Sequence, residues 1–313
     1  MAYLNLSNLD REQWLALRRQ GLGGTDAAAV LGLSPYRTAV DVYLEKTGQR
    51  EPVADTPRMR AGRLLEDVVA RWWALEKGFR VRRDNKMRFH PQYPELFANI
   101  DRLITTPGEK LGTGVLEVKT TSGYHFKRWE NDGLPPDTYC QVMHYLMVTG
   151  HRWARVAVLV DGYDLKDIPV VYDREYIDLM RGQLLDFWHD HVLQGIPPEP
   201  RNESDVRSLW PRAQGDKIVQ AGEPDIRTVD RLVDVTRQLA GLTEEKNDLE
   251  EQLKLTLRDA TVLACGDEAL VTWRQSKDAQ RFDTGRFKTD FPALYQTYSD
   301  TRPGSRRFVL KKD

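Results

Sequence analysis

The chain has 313 residues, of which 40% are hydrophobic and 30% charged, and its formal net charge is −1 at pH 7. This composition is typical of one large globular domain with an appendage or of two domains, and it excludes a uniformly basic nucleic-acid-binding protein. The two cysteines, Cys140 and Cys265, are too few for a disulfide framework or a four-cysteine metal site. Because we find neither an apolar run of about 20 residues nor a signal-peptide pattern, we expect no membrane span and a cytoplasmic location.

Helical patterns dominate the first 80 residues. The spacing predicts a helix over residues 10–20 with Asp10 as its N-cap, and a glycine-rich bend then leads into a short helix with Thr25 or Asp26 as a cap candidate. Another short helix ends at Gly48. A longer helix over about 58–77, closed by Gly78, carries apolar residues at helical spacing: Leu64, Leu65, Val68, Val69, Trp72 and Trp73.

The pattern then changes to strands with interspersed helices. Strands are predicted at 79–89, 96–105, 114–121, 153–162 and 165–172, and helices at 122–132, 136–150 and about 174–194. Residues 1–200 are therefore predicted to form an α/β domain with a mixed central sheet flanked by helices.

Residues 201–313 are predicted to form a separate C-terminal extension. Its helix, over about 225–258, has a heptad-like seam that Lys246 interrupts and that comprises Leu232, Val235, Leu239, Leu242, Leu249, Leu253 and Leu257. The seam either pairs between subunits or folds back on its own chain, and the sequence favours neither. A small α+β unit of strand, helix and strand is expected after Gly266.

The strand "GVLEVKTT", residues 114–121, contains two charges in an apolar segment. Glu117 and Lys119 are two positions apart, so both side chains point to the same face. Burying such a pair contributes little to stability. Either the strand is an edge strand with one solvated face, or the two charges belong to a site.

Two further acids favour a site. Asp101 lies between apolar neighbours in the preceding strand, and Glu66 follows Leu64 and Leu65 on the long helix. If the strands around Asp101 and Glu117 pair, the two carboxylates come close and repel each other unless a cation neutralises them. Hard cations such as Mg²⁺ prefer carboxylate oxygens. The pattern therefore predicts three acids and a lysine converging from a helix and two strands.

The order of these residues resembles the PD-(D/E)XK nuclease superfamily, with Asp101 as the aspartate and Glu117-Val118-Lys119 as the (D/E)-x-K. Three further segments resemble the YqaJ-like viral recombinase family, which includes the phage lambda exonuclease. They are "WLALRRQGLGGTDAAAVLGLSPYRTAVDVYLEKTG", "GRLLED" and "WENDGLPPDTYCQVMHYLMVTG". The resemblance spans about residues 10–195 and implies a restriction-endonuclease-like core.

The resemblance implies a metal site. Asp101 and Glu117 would hold a catalytic Mg²⁺, for which Mn²⁺ is expected to substitute, and the Val118 carbonyl would complete the ligand set. Glu66 would contact a metal directly or through water. An exposed helix acid is the alternative for Glu66.

It also implies roles for five more residues. Lys119 would orient or activate the attacking water, Gln141 would support the lysine or the water, and Tyr145 would brace the helix of Gln141. Arg18 and Thr25 match positions that grip a 5′-terminal phosphate in the family.

Other readings stay open for the last two residues: a surface arginine for Arg18 and an ordinary N-cap for Thr25. Arg19 is a competing candidate for the role of Arg18.

The implied function is a Mg²⁺-dependent 5′-to-3′ exonuclease that resects linear duplex DNA for a single-strand annealing protein. The resemblance also implies a homo-oligomer, with a ring-shaped trimer as one form. The alternatives are an endonuclease of the same fold and a catalytically dead DNA-binding or assembly module.

Overall fold

The computed structural model describes residues 2–50, 55–106, 108, 112–215, 217–301 and 304–311. The chain divides into two units, Met1–Trp210 and Pro211–Asp313. In the part of the chain that the structure describes, no helix is both long and apolar enough to cross a membrane.

Four helices are described in the chain before the main sheet. They are α1 (Arg11–Arg18), α2 (Gly24–Val30), α3 (Ala39–Lys46) and α4 (Pro57–Lys77). The Asp10 carboxylate caps α1 by accepting a hydrogen bond from the Gln13 amide, as predicted. The predicted caps of α2 were wrong, because Gly23 occupies the N-cap position and Thr25 lies inside the first turn. The Asp26 carboxylate instead reaches back to accept a hydrogen bond from the Gly23 amide at 3.0 Å.

The buried face of α4 is narrower than its apolar pattern suggested. Val69 and Trp73 are fully buried and contact Leu116 and other apolar residues of the sheet. Leu64 and Val68, by contrast, are 69% and 59% exposed. The helix ends at Gly78, whose φ of 71° is readily adopted by glycine alone, which confirms the predicted stop.

In the described part of the first unit, eight strands form two sheets. They are β1 (Tyr3–Asn5), β2 (Arg80–Arg83), β3 (Lys86–Phe89), β4 (Phe97–Asn99), β5 (Arg102–Thr105), β6 (Gly114–Thr121), β7 (Trp153–Val160) and β8 (Asp164–Val171). The central sheet has the order β2-β5-β6-β7-β8 and the smaller sheet the order β1-β3-β4. Among the described strand pairs, β6–β7 is parallel and the others are antiparallel, so the central sheet is mixed, as the sequence predicted.

Two predicted strands are each divided between the two sheets. The segment 79–89 forms β2 and β3, and the segment 96–105 forms β4 and β5. Asp101 lies at the second break, directly before β5. The break therefore places this acid at the end of a central strand, beside β6.

The connection between β6 and β7 consists of α5 (Gly123–Asp132) and α6 (Pro136–Thr149). The apolar core on the α6 side of the sheet includes Val115, Val156 and Leu146. After β8, α7 (Arg174–Asp186) continues as a π-helical segment, Phe187–Leu193, and α8 (Glu203–Leu209) follows. Helices thus contact both faces of the sheet.

The second unit contains α9 (Glu223–Leu257), the hairpin of β9 (Val262–Cys265) and β10 (Glu268–Thr272), and two short helices, α10 (Thr284–Asp290) and α11 (Pro292–Thr297). The long helix agrees with its prediction. The predicted last strand was wrong, because residues 304–311 are not in a strand; Lys312, at the end of the predicted strand, lies outside the described residues. Strand β10, which was predicted, pairs instead with β9, which the sequence analysis missed.

Candidate active site

The strand β6 places Glu117 and Lys119 on one face. The Lys119 Nζ lies 2.6 Å from Glu117 Oε1, and Glu117 is only 2% exposed. Since β6 pairs with β5 on one side and β7 on the other, the alternative of a solvated edge strand was wrong. The pair is an internal feature of the sheet, at the end that also carries Asp101.

Asp101 lies next to this pair. Its Oδ2 accepts a hydrogen bond from the Val118 amide at 3.0 Å, which fixes the carboxylate against β6. Burial raises the pKa of Asp101 well above its usual value, and the negative charges of Glu117 and Glu66 raise it further. Two carboxylates in one low-dielectric space are stabilised when a cation binds between them.

Lys119 connects the sheet to α6. Its Nζ donates a hydrogen bond to Gln141 Oε1 at 2.8 Å, and Gln141 Nε2 donates to the Tyr145 hydroxyl at 2.6 Å. Burial lowers the pKa of Lys119, but the Glu117 carboxylate outweighs that effect and raises the pKa above its usual value. Burial, followed by the charges of Glu117 and Asp101, raises the pKa of Tyr145. Lys119 is therefore a cation and Tyr145 a neutral phenol near pH 7.

The Glu66 side chain pairs with Arg102, and its negative charge also raises the pKa of Asp101. Its Oε1 accepts a hydrogen bond from Arg102 Nη1 at 2.5 Å, and Arg102 Nη2 donates to Asp67 Oδ1 at 3.1 Å. Among the described residues, no three acidic, histidine or cysteine side chains are placed to hold one metal ion together. The sequence analysis missed Arg102, because the local sequence around Asp101 does not show that this arginine is buried beneath α4.

Asp101 and Glu117 remain suitable for a divalent cation. Glu117 Oε2 is buried and, among the described residues, has no hydrogen-bond partner. An unsatisfied buried carboxylate oxygen is costly, and a bound cation removes that cost. Together with the raised pKa of Asp101, this oxygen indicates that the donor set fits a hard cation such as Mg²⁺.

The structure also brings Arg18 and Thr25 together. Arg18 Nη2 donates to Thr25 Oγ1 at 3.4 Å, and the Arg18 guanidinium lies 4.9 Å from the centre of the Trp14 ring. This contact supports Arg18 over Arg19 as the partner of Thr25. Thr25 lies in the first turn of α2, where backbone amides without helical partners favour anions.

Below this pair is a buried charge cluster that the sequence analysis missed. Asp26 is fully buried and accepts hydrogen bonds from Lys46 Nζ at 2.7 Å and Arg37 Nη1 at 3.1 Å, while Arg18 Nη2 lies 3.7 Å away. Burial raises the pKa of Asp26, but Lys46, Arg18 and Arg37 hold it far below its usual value. Arg37 also binds Glu45, so three cations face two acids. The excess positive charge next to Thr25 favours an anion.

Gly24 joins the two groups of residues. A Cβ at this position would lie 2.8 Å from a ring carbon of Tyr145 and 3.0 Å from Gln141 Cγ. Only glycine therefore allows the first turn of α2 to approach α6 this closely. The first turn of α2 therefore lies directly against Gln141, the residue that binds Lys119.

Comparisons with known proteins agree with this geometry. The family model described as the YqaJ-like viral recombinase domain matches residues 13–152. The chain is 33% identical over 314 residues to a protein of Bacillus subtilis (strain 168) described as "Uncharacterized protein YqaJ", with 98% of this chain and 96% of that protein covered.

Solved structures show the same fold. The crystal structure of an alkaline exonuclease (LHK-Exo) from Laribacter hongkongensis is similar with a TM-score of 0.50 and 18% identity, over 59% of this chain and 94% of that one. The restriction-endonuclease-like core expected from the sequence is thereby confirmed at the level of fold. The chain belongs to the YqaJ-like viral recombinase family.

Proposed function

We propose that the chain is a Mg²⁺-dependent deoxyribonuclease that degrades one strand of linear duplex DNA from its 5′ end. The observation that carries the proposal is the cluster of Asp101, Glu117, Lys119 and Gln141, with a buried carboxylate oxygen that lacks a partner among the described residues. Family membership and the fold shared with an alkaline exonuclease support the same reaction class.

Asp101 and Glu117, with the Val118 carbonyl, are the residues that would hold the metal. When bound, Mg²⁺ supplies an acidified water and positive charge next to the phosphate that is attacked, and Mn²⁺ is expected to substitute. The carboxylate of Asp101 is fixed for this role by the Val118 amide. Glu66, which Arg102 holds and whose charge acts on Asp101, would contact a metal ion directly or through water.

Lys119 contributes a fixed positive charge. Because its pKa is raised, it is a cation near neutral pH and would stabilise negative charge on the phosphate oxygens or orient the attacking water. Gln141 holds the ammonium in place, and Tyr145, as a neutral phenol, accepts the hydrogen bond that orients the Gln141 amide.

Arg18 and Thr25 would bind the 5′-terminal phosphate. The excess positive charge around Asp26 and the amides at the start of α2 support this role. We expect 5′-phosphorylated ends to be degraded faster than 5′-hydroxyl ends. In Arg18→Ala the two kinds of end should be degraded at equal rates, and a preference that persists in this variant would exclude Arg18 from phosphate binding.

The test of the proposal is digestion of linear duplex DNA with Mg²⁺ by the wild type and by Lys119→Met. We expect the variant to lose at least a hundredfold in rate while it still binds duplex in a gel-shift assay, because methionine keeps the length of the side chain but removes its charge. Wild-type protein that binds duplex but leaves it intact with either Mg²⁺ or Mn²⁺ would support the catalytically dead binding module instead.

The proposal also covers the roles of the two parts of the chain and its oligomeric state. Residues 1–200 would form the catalytic part, and residues 201–313 an extension that sets the oligomeric state or contacts a single-strand annealing protein. We propose a homo-oligomer, for which the family resemblance implies a trimer. The exposed leucines in the middle of the α9 seam, Leu239, Leu242 and Leu249, support pairing between subunits.

A further inference from the structure

The two oxygens of the buried Asp26 carboxylate are occupied by different donors. Oδ2 accepts hydrogen bonds from Lys46 Nζ at 2.7 Å and from the Gly23 amide at 3.0 Å. Oδ1 accepts a hydrogen bond from Arg37 Nη1 at 3.1 Å. Because each oxygen of a carboxylate offers about two lone pairs, Lys46 and Gly23 together saturate Oδ2.

Arg18 faces the saturated oxygen from a greater distance. Its Nη2 lies 3.7 Å from Asp26 Oδ2, which is too far for a hydrogen bond. The same nitrogen donates to Thr25 Oγ1 at 3.4 Å, and the Arg18 side chain is 16% exposed. The guanidinium therefore stays beside Thr25 with some access to solvent, although a buried acid lies close to it.

Lys46 contacts both Asp26 and Arg18. It is the last residue of α3, and its side chain is completely buried. Besides binding Asp26, its Nζ donates a hydrogen bond to the Arg18 carbonyl at 2.7 Å. One ammonium group thus fixes the main chain of Arg18 and occupies the carboxylate oxygen nearest to the Arg18 guanidinium.

We propose that Lys46 is a positioning residue that keeps the Arg18 guanidinium available for a terminal phosphate by occupying Asp26 Oδ2. This inference rests on the phosphate-binding role of Arg18 proposed above. It assigns Lys46 a part in the preference for phosphorylated ends, although the lysine itself has no access to the DNA.

The physical reason is the cost of an incompletely paired acid in the interior. Without Lys46, the buried Asp26 carboxylate would lose its shortest hydrogen bond, and a buried charge that loses a partner is strongly destabilised. A shift of about 1 Å would let Arg18 Nη2 form a charge-assisted hydrogen bond with the released oxygen. A phosphate would then have to break that bond before it could bind Arg18.

The experiment measures kcat/KM of the full chain with Mg²⁺ on two linear duplexes that differ in having a 5′-phosphate or a 5′-hydroxyl end. The ratio of the two values is the readout, because general damage to the fold lowers both values and leaves their ratio unchanged. The main variant is Lys46→Met, and Lys46→Gln removes the same charge if methionine prevents folding. Circular dichroism checks the fold of each variant.

Two further variants separate the position of Arg18 from the charge of the cluster. In the wild type, Arg18, Arg37 and Lys46 face Asp26 and Glu45. Arg37→Met removes one positive charge, as Lys46→Met does, but leaves Lys46 on Oδ2. The double variant Lys46→Met with Asp26→Asn removes one charge of each sign, so its cluster has the same net charge as in the wild type.

We expect Lys46→Met to lower the preference for phosphorylated ends about fivefold or more, because Arg18 is held by Asp26. Arg37→Met should lower it less. The double variant should regain at least half of the wild-type preference, because no carboxylate at position 26 remains to bind Arg18.

Three results would overturn the inference and leave the phosphate site intact. They are an unchanged preference in the folded Lys46 variant, equal losses in Lys46→Met and Arg37→Met, and no recovery in the folded double variant. A wild type that degrades both kinds of end at equal rates would instead overturn the proposed phosphate-binding role of Arg18, and the inference with it.

Discussion

At the scale of single residues, Gly24 decides how closely α2 approaches Gln141 and Tyr145. In Gly24→Ala the added methyl group would lie 2.8 Å from the Tyr145 ring, so Tyr145 and Gln141 must shift and the support of Lys119 is lost. We expect kcat on linear duplex to fall about tenfold or more, because small misplacements of reacting groups are costly. Steady-state digestion kinetics measure this effect.

The matched control is Gly182→Ala in α7. A Cβ at Gly182 meets no described atom within 4 Å. We therefore expect unchanged kcat and a free energy of unfolding raised by about 0.5–1 kcal/mol, because alanine is the better helix former. Equal kcat for Gly24→Ala and the wild type would show that the close approach of α2 does not position Gln141.

The burial of His144 should make the free energy of unfolding depend on pH. The side chain is fully buried on α6, and burial lowers its pKa to about 4. In the unfolded chain its pKa is about 6.5, so the unfolded state takes up more protons below that value. The contribution of His144 to stability is complete above pH 6.5 and is lost as pH falls towards 4, by roughly 3 kcal/mol.

Urea unfolding at pH 7.5 and pH 5.0 tests this prediction. In His144→Met, which has no titrating group and similar volume, the loss of unfolding free energy between the two pH values should be smaller than in the wild type. An equal loss in both proteins would mean that other groups cause the acid sensitivity.

The residue scale also shows what sequence patterns can predict of the site. Glu117 and Lys119 were predictable because side chains two positions apart in a strand share a face, and the structure places Asp101 beside them. Two pairings could not be predicted from the sequence, because their partners are far apart along the chain. Glu66 and Arg102 are separated by 36 positions, and Asp26 and Lys46 by 20. Lys46, at the end of α3, has the pattern of an ordinary exposed helix-terminal lysine, yet its side chain is buried.

At the scale of elements, the middle of the α9 seam is exposed among the residues that the structure describes. Leu239, Leu242 and Leu249 are 58%, 62% and 53% exposed, although they recur at heptad spacing. We expect Leu242→Glu with Leu249→Glu to lower the mass of the assembly measured by sedimentation velocity.

The control is Leu255→Glu, which introduces the same charge at an exposed leucine outside the seam. It should leave the mass unchanged. A mass that is the same in the seam variant and the wild type would exclude α9 as a contact between subunits.

Long elements were easier to predict than strand boundaries. The helices over 58–77 and 225–258 have many turns of consistent periodicity, and both were found within two residues. The segment 96–105 has one continuous apolar pattern, but its halves join different sheets. A local pattern cannot show that break, because the two partners, β3 and β6, come from separate parts of the chain.

At the scale of the whole molecule, all the site residues described above belong to the unit Met1–Trp210. The phosphate-binding candidates come from α1 and α2, the acids from the segment before β5 and from β6, and the supporting amide from α6. An arrangement with a terminal-phosphate site next to the cleavage site suits an enzyme that starts at DNA ends. It gives no advantage on a closed circle, which has no terminal phosphate.

The most direct measurement is therefore a time course with Mg²⁺ on linear duplex DNA carrying a label at its phosphorylated 5′ ends, run beside a closed circular duplex. The account predicts that the 5′ label is released early in small products, that a label at the 3′ ends remains in long strands, and that the circle stays intact. Cleavage of the circle at the rate of the linear duplex would contradict the exonuclease and indicate an endonuclease with the same fold.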